Sequence, residues 1–329
     1  VAITVCGNCI NFGSQSICVD PAGIYVSGRF DFYGCGLTPT QAQGSVSGYS
    51  SGGGIPAGVD TIDKFPFSSD ASATDVGELT QARRGSGGQS SLVSGYRSGG
   101  DVSGVQVDTI DKFPFAVDAN ATDVGELTQA RRYVAGQSST ASGYTSSGLA
   151  PPGYVDTIDK FPFAADASAT DVGELTQIRL GAAGQSSSAS GYTSGGIAPP
   201  DVDTIDKFPF AADASATDVG ELTLASYYVA GQSSSASGYR SGGQGPTGNV
   251  NTIDKFPFAS DGSATDVGEL TQARFAVAGQ SSTASGYTSG GTAPPNVDTI
   301  DKFPFAADAS ATDVGELTQA RRDAAGQQV

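Results

Sequence analysis

The 329-residue chain has no histidine, no tryptophan and no methionine. Without histidine it lacks the side chain that most often moves protons near neutral pH, and a Ser–His–Asp site is excluded. Without methionine there is no initiator, so Val1 reads as a processed or internal start, as removal of a signal peptide would leave. Apolar runs are short. None approaches the ~18 residues of a membrane-spanning helix, so membrane insertion is not expected. Positive charge is scarce: 17 Lys and Arg stand against 34 Asp and Glu, a net charge of −17. Such a surface repels phosphate backbones, which speaks against a nucleic-acid partner. Cysteine is confined to Cys6, Cys9, Cys18 and Cys35.

What the chain does have is repetition. Thr-Ile-Asp-Lys-Phe-Pro-Phe occurs six times with identical letters, its lysines being Lys64, Lys112, Lys160, Lys207, Lys255 and Lys302. The spacing is 48 or 47 residues throughout. A period of this size signals a repeat architecture. Gly-Tyr precedes each heptapeptide (Tyr49, Tyr96, Tyr144, Tyr192, Tyr239, Tyr287), and Leu-Thr follows it (Leu79, Leu127, Leu175, Leu222, Leu270, Leu317). Gly, at 46 residues, sits at fixed places in the copies and reads as turn punctuation.

One copy shows the predicted elements. Gln137–Ser142 is a polar strand of small residues, and Gly143–Gly148 a second that ends in a turn. Leu149–Gly153 is a variable loop. Val155–Phe163 is the strongest strand, Asp166–Asp171 a turn, and Val172–Gln177 the fourth strand. No segment sustains a helical apolar period. Four short strands per ~47 residues is the signature of a β-propeller blade. Because blades stack face to face, Ile158 and Phe161 or Phe163 are expected to point to opposite faces, both of them buried. Pro162, having no N–H, belongs where its ladder ends or at an edge. Six copies mean six blades. The tail Ala325-Gly326-Gln327-Gln328-Val329 restarts a seventh copy and stops, so it is placed to pair beside the first blade and close the ring.

Order and spacing over residues 43 to 326 resemble the kelch-type propeller. The matching positions are Tyr192 with Gly195-Gly196, Val202 to Asp206, Leu222, and Arg179 leading into that blade. The tryptophan of the kelch pattern is replaced by Val76, Val124, Val172, Val219, Val267 and Val314, and one glycine pair is Ser147-Gly148. The near-identity of the copies is similar to repeat propellers of virion or extracellular structural proteins. The resemblance implies an all-β, six-bladed propeller. It does not by itself give a function.

Residues 1–42 differ from the rest and carry no heptapeptide. Val1–Val5 is β-prone, Asp20-Pro21-Ala22-Gly23 separates two β-branched runs as in a hairpin, and Arg29–Tyr33 alternates as a third strand would. This is read as an N-terminal β arm or cap, with residues 43–329 as the propeller. The clustered Cys6, Cys9, Cys18 and Cys35 are read as two disulfides in an oxidising compartment, zinc being the weaker alternative because knuckle spacing and histidine are absent. Three pairings stay open. Disulfides would help an appendage too small for a core of its own.

Candidate chemistry is thin. Asp-x-Ser-x-Thr-Asp recurs at 70–75, 166–171, 213–218, 261–266 and 308–313, with Asn120 in place of Ser in 118–123. Its alternating oxygens suit calcium in principle, but an Asx-type turn is the plainer reading. Asp and Lys of the heptapeptide, with the Arg after each Leu-Thr-Gln, are expected to form a ring of salt bridges, buried or exposed. The fourth copy has Ser226 in place of that Arg. Gly48-Tyr49-Ser50-Ser51-Gly52 fits Gly-x-Ser-x-Gly, yet it does not recur and has no base. Carboxylate chemistry of the glycosidase kind would need an asymmetric pair, whereas these acids repeat sixfold. No catalytic residue, cofactor or metal is therefore assigned. Asn120-Ala121-Thr122 is the one Asn-x-Ser/Thr sequon, and Asn120 a candidate glycosylation site. The expected function is a non-enzymatic structural protein, a self-associating subunit of an extracellular filament, surface assembly or virion appendage joined through its N-terminal arm. The alternative is a propeller that binds a glycan or protein at the ring's mouth or its variable loops.

Overall fold

Period-two patterning decides how each blade is built. In Thr109–Pro114, Ile110 and Lys112 share one face of the strand and Asp111 and Phe113 the other. Ile110 packs with Tyr96 and Leu127 of its own blade against Phe161 and Phe163 of the next. Phe113 and Phe115 turn the other way, onto Tyr49, Ile62 and Leu79 of the preceding blade. The same set recurs at every junction, including Tyr287, Ile300 and Leu317 against Phe65 and Phe67, which joins the last blade to the first. The core is therefore six equal slabs between blades. Each wholly buried side chain contributes roughly 1.5–3 kcal/mol. The opposite-face placement expected for Ile158 and Phe161 holds, and Pro162 ends its ladder opposite Ser142.

The computed structural model describes residues 43–329 throughout and, before them, the backbone of four strands, Ile3–Cys6, Cys9–Phe12, Gln15–Asp20 and Gly23–Ser27. These four form an antiparallel meander in chain order. The hairpin expected around Pro21 is the one between its last two strands. The backbone register sets Cys6 opposite Cys9 and Cys9 opposite Cys18. The disulfides themselves, Cys35 and the strand expected at Arg29–Tyr33 lie outside the described residues. The chain divides into two compact units, Val1–Thr38 and Pro39–Val329.

The second unit is a six-bladed propeller of four-stranded antiparallel blades, with no helix among the described residues. A representative blade runs outward through Ala183–Ser186, Ser190–Ser194, Thr204–Pro209 and Thr217–Glu221. The first blade takes its innermost strand from the C-terminal tail: Ala325–Gln328 pairs with Ser47–Ile55, with Gln327 opposite Tyr49. The ring closes as the repeated Gly-Gln anticipates. The observed inner strand, Ala135–Ser138, starts two residues before the polar segment expected for it, because Ala135 and Gly136 already pair with Ser146 and Thr145. The fourth strands likewise start at the Thr of the Asp-x-Ser-x-Thr-Asp segment, as at Thr122–Glu126.

Two devices fasten the inner ring. Each inner-strand Gln donates from Nε2 to the tyrosine carbonyl of the neighbouring blade, as Gln137 to Tyr192 at 3.0 Å, and the circuit ends with Gln280 to Tyr49 and Gln327 to Tyr96. Along the free edges, Ser90 N–H donates to the Ser138 hydroxyl and Ser138 N–H to that of Ser186, each at 3.0 Å, which satisfies groups that the sheet leaves open. The axis itself admits only glycine. A Cβ on Gly136 would overlap the backbone of Gly88, and Gly88, Gly184, Gly231, Gly279 and Gly326 meet their neighbours in the same way.

Candidate ligand site at the axial mouth

The repeated charges are used to hold blades together. Arg83, Arg131, Arg179, Arg274 and Arg321 are fully buried and pair with Asp111, Asp159, Asp206, Asp301 and Asp63 at 2.8–3.2 Å. Each aspartate also accepts two bonds from a threonine. Asp159, for example, takes the Thr128 N–H at 2.9 Å and its hydroxyl at 2.7 Å. Burial lowers the arginine pKa values, and the partnered aspartates offset part of that. The fourth copy, with Ser226, does not lose its pair. Arg240, at a position where four other copies carry Ser50, Thr145, Thr193 or Thr288 and the second carries Arg97, reaches Asp254 at 2.6 Å. The sixfold requirement is thus for a buried guanidinium, not for an arginine at one place in the repeat, and sequence reading missed the substitution.

On the outside, each heptapeptide lysine bridges to the Asp that opens the next blade's turn, as Lys112 to Asp166 at 2.8 Å. These pairs are more than a quarter exposed, worth about 0–1 kcal/mol each. The Asp-x-Ser-x-Thr-Asp segments are engaged within the protein. Asp166 holds Lys112, the Ser168 hydroxyl bonds Glu126, and Asp171 accepts the Gly173 N–H at 3.1 Å in an Asx turn. No metal-ligating cluster occurs among the described residues. Asn120 stands in for the serine, donating from Nδ2 to Glu78 Oε2 at 3.2 Å and accepting the Glu78 N–H. Ser50 and the surrounding Gly-x-Ser-x-Gly letters are buried in the second strand of the first blade.

The symmetry breaks at one end of the axis. A cavity of about 110 Å³ lies above the six axial glycines, and a smaller one of about 50 Å³ shares the same glycines on the other side. The rim of the larger cavity is one residue from each blade in left-handed backbone conformation: Gly85, Tyr133, Gly181, Tyr228, Ala276 and Asp323, with φ between 53° and 68°. Four of the six are not glycine, at a cost of roughly 1 kcal/mol each. Large and small residues alternate around the rim because space requires it. A Cβ on Gly85 would meet the Tyr133 ring at 2.9 Å, and one on Gly181 the Tyr228 ring at 3.0 Å. Tyr133 and Tyr228 meet with centroids 4.9 Å apart.

The residues preceding the rim divide the mouth into two arcs. Three successive blades contribute Arg322, Arg84 and Arg132; the other three contribute Leu180, Tyr227 and Phe275. Each of these positions bridges to the variable loop of its blade, as Arg84 to Asp101, Leu180 to Ile197 and Tyr227 to Gln244. In the charged arc Asp101, only 1% exposed, takes Arg132 Nη1 at 2.7 Å and Arg84 Nε at 3.6 Å. The Arg132 guanidinium lies over the Tyr133 ring, 5.1 Å from its centroid. In the apolar arc Tyr228 contacts Tyr227 at 5.0 Å and Phe275 at 6.3 Å. Burial, with Tyr133 and Asp323 nearby, drives the Tyr228 hydroxyl pKa far up, so it stays a neutral donor.

Asp323 joins the arcs. Its side chain is 7% exposed and its nearest cation is Arg322 Nε at 3.6 Å, while its carbonyl accepts the Gly85 N–H at 3.0 Å. Burial pushes its pKa to about 6, against the opposing pull of Arg322, Arg84, Arg97 and Arg132. Arg97 is buried beside Arg83 with no carboxylate of its own, and bonds the carbonyls of Ser51 and Arg83. This stretch falls between the strands predicted from the sequence. The signal was present in the column Gly, Tyr, Gly, Tyr, Ala, Asp and in the one before it, Arg, Arg, Leu, Tyr, Phe, Arg, which vary while the heptapeptide does not. No known protein-family model matches the chain, and a search of curated proteins finds no match.

Proposed function

We propose that the protein is a non-enzymatic, kelch-like binding propeller of the extracellular space that holds a glycan or protein ligand at its axial mouth. The observation that carries this reading is the two-arc rim. The cavity, closed below by glycine, is lined by Tyr133, Tyr228 and Asp323, and the positions just before the rim are arginine on three adjacent blades and apolar or aromatic on the opposite three. Polar groups converging on a concave, partly aromatic surface are what ligand sites are made of. The loops after the glycine pairs, which differ most between copies, flank the same mouth. The test is a glycan array probed with the wild-type protein and with a variant whose loop 101–106 is replaced by the loop of another blade. The reading expects a defined set of bound glycans that the exchange alters. An array and a protein pull-down that both stay blank count against it.

A second reading, a filament subunit, is favoured by one feature. The ring is completed by its own C-terminal strand, so the N-terminal meander is not needed to finish a blade, and in this reading it joins a neighbouring copy. Sedimentation of the native protein distinguishes the two, since a subunit of this kind forms concentration-dependent oligomers that deletion of residues 1–38 abolishes.

A further inference from the structure

Asp323 is the one charged side chain that lines the axial cavity. It is 7% exposed, and among the described residues the single polar partner of its carboxylate is Arg322 Nε at 3.6 Å, longer than a hydrogen bond. Other buried aspartates are better supplied. Asp159 takes a guanidinium at 3.1 Å and two bonds from Thr128, and Asp101 takes Arg132 at 2.7 Å and the Gly104 N–H at 3.0 Å. A buried carboxylate that reaches a cavity and has no donor of its own is open to a donor from outside. Its place is fixed by a closed circuit of backbone bonds. Gly85 N–H donates to the Asp323 carbonyl, Tyr133 to Gly85, Gly181 to Tyr133, Tyr228 to Gly181, Ala276 to Tyr228 and Asp323 to Ala276, at 2.5–3.0 Å. The circuit asks only for backbone, and Gly85 and Gly181 serve it without strain. Tyr133, Tyr228 and Asp323 stand in it at φ of 53° to 57°, so what their side chains add is the lining of the cavity.

The lining narrows the donor. A cation entering here would meet Arg322 beside Asp323, and Arg132, whose guanidinium lies 5.1 Å from the Tyr133 centroid. An anion would meet Asp323 itself. An uncharged donor meets neither repulsion. Tyr133 and Tyr228 present aromatic surface in the same cavity as the carboxylate. At about 110 Å³ the cavity is far below the ~300 Å³ at which sites for whole drug-sized ligands begin, and glycine stops it below, so it takes one ring at the end of a chain. A sugar ring has both properties that the lining calls for: adjacent hydroxyls that donate, and a C–H face that packs on aromatic carbon. We propose that the axial mouth binds the terminal, uncharged pyranose of a glycan, with two of its hydroxyls donating to the Asp323 carboxylate and its C–H face lying on Tyr133 and Tyr228. This rests on the binding reading above and names its ligand class and the residue that recognises it.

Ligand-observed NMR and titration calorimetry at pH 8 test it, with the methyl glycosides of glucose, galactose, mannose and fucose at millimolar concentration. Methyl glucuronide, tetramethylammonium and cyclohexanol are the acidic, cationic and single-hydroxyl counterparts. Wild-type protein is compared with Asp323→Ala, Asp323→Asn and Tyr133→Gly, and each melt is recorded. The expected result is that at least one methyl glycoside binds, about tenfold or more tighter than any counterpart. Asp323→Ala loses about tenfold or more, Asp323→Asn, which keeps one acceptor oxygen, loses less, and Tyr133→Gly loses about fivefold. Ala276 shows that alanine fits this backbone conformation, and Asp323→Ala removes a charge without a hydrogen bond, so its melt should not fall below that of wild type. A loss of binding in that variant is then read on a folded ring. No methyl glycoside bound, a counterpart bound as tightly, or binding untouched by Asp323→Ala overturns the proposal. Array ligands that Asp323→Ala still holds would overturn it while leaving the binding reading intact, whereas a blank array and a blank pull-down would end both.

Discussion

The junctions between blades and the mouth of the axis lie only a few residues apart in each repeat, yet they obey different rules. At the junctions, letters hardly change: Tyr, Ile and Leu meet the two phenylalanines six times over, and a buried Asp finds a guanidinium six times over. When the arginine is lost at Ser226, Arg240 supplies its charge from another strand. At the mouth the equivalent positions carry Gly, Tyr, Gly, Tyr, Ala and Asp, and left-handed strain is tolerated in four of them. Closing the ring demands repetition wherever one blade must fit the next. The rim, where side chains face a cavity and not another sheet, and the variable loops are free to differ. Difference is retained there in a pattern, charged on one side and apolar on the other.

The sharpest way to break this contrast is at the junction that has already changed. Arg240→Thr should leave Asp254 buried and unpaired at a cost of about 3–5 kcal/mol, and adding Ser226→Arg should restore most of it. Denaturant midpoints of the two variants and the wild type measure both. If the double variant recovers nothing, the exchange of guanidiniums is not the reason Ser226 is tolerated.

The next effect belongs to the mouth and depends on pH. The folded-state pKa of Asp323 is raised from 3.8 to about 6, so the folded protein binds more protons than the unfolded chain between these values. Its ionised form therefore opposes folding, and stability falls as pH rises through that window. Asp323→Asn should be more stable than wild type by about 3 kcal/mol at pH 8, with the advantage gone near pH 4. Melting curves across pH 4–8 check the sign. Gly136→Ala, which sets a methyl against the Gly88 backbone, should cost about 1–3 kcal/mol by thermal unfolding. The smallest effect is expected on the outside. Lys112→Ala removes one exposed bridge to Asp166 and should change stability by less than about 1 kcal/mol, and less still in high salt.

Much of the fold could be read before the structure because each clue was local or periodic. The spacing of the heptapeptide, Pro162 at the end of its ladder, the two faces carrying Ile158 and Phe161, and the Gly-Gln of the tail each point to one arrangement. Arg240 could not be read, since nothing nearby in the chain marks it as the substitute for Ser226; the two meet only around Asp254. The mouth was overlooked for a related reason. Its six rim residues stand in unremarkable linkers one repeat apart, and only ring closure brings Tyr133, Tyr228 and Asp323 together. The inner strand was expected two residues too late because Ala-Gly has little strand propensity of its own, and the ring, not the segment, decides its pairing.

The central claim, that recognition resides where the repeat is broken, is tested most directly by levelling the rim. Tyr133, Tyr228 and Asp323 are all replaced by the glycine that Gly85 and Gly181 already supply at this backbone conformation, and ligand binding is compared with that of wild type and of Lys112→Ala on one array. The account predicts a levelled ring that stays folded but binds nothing, beside a Lys112→Ala protein that binds as wild type does. A levelled ring that keeps its ligands would contradict it.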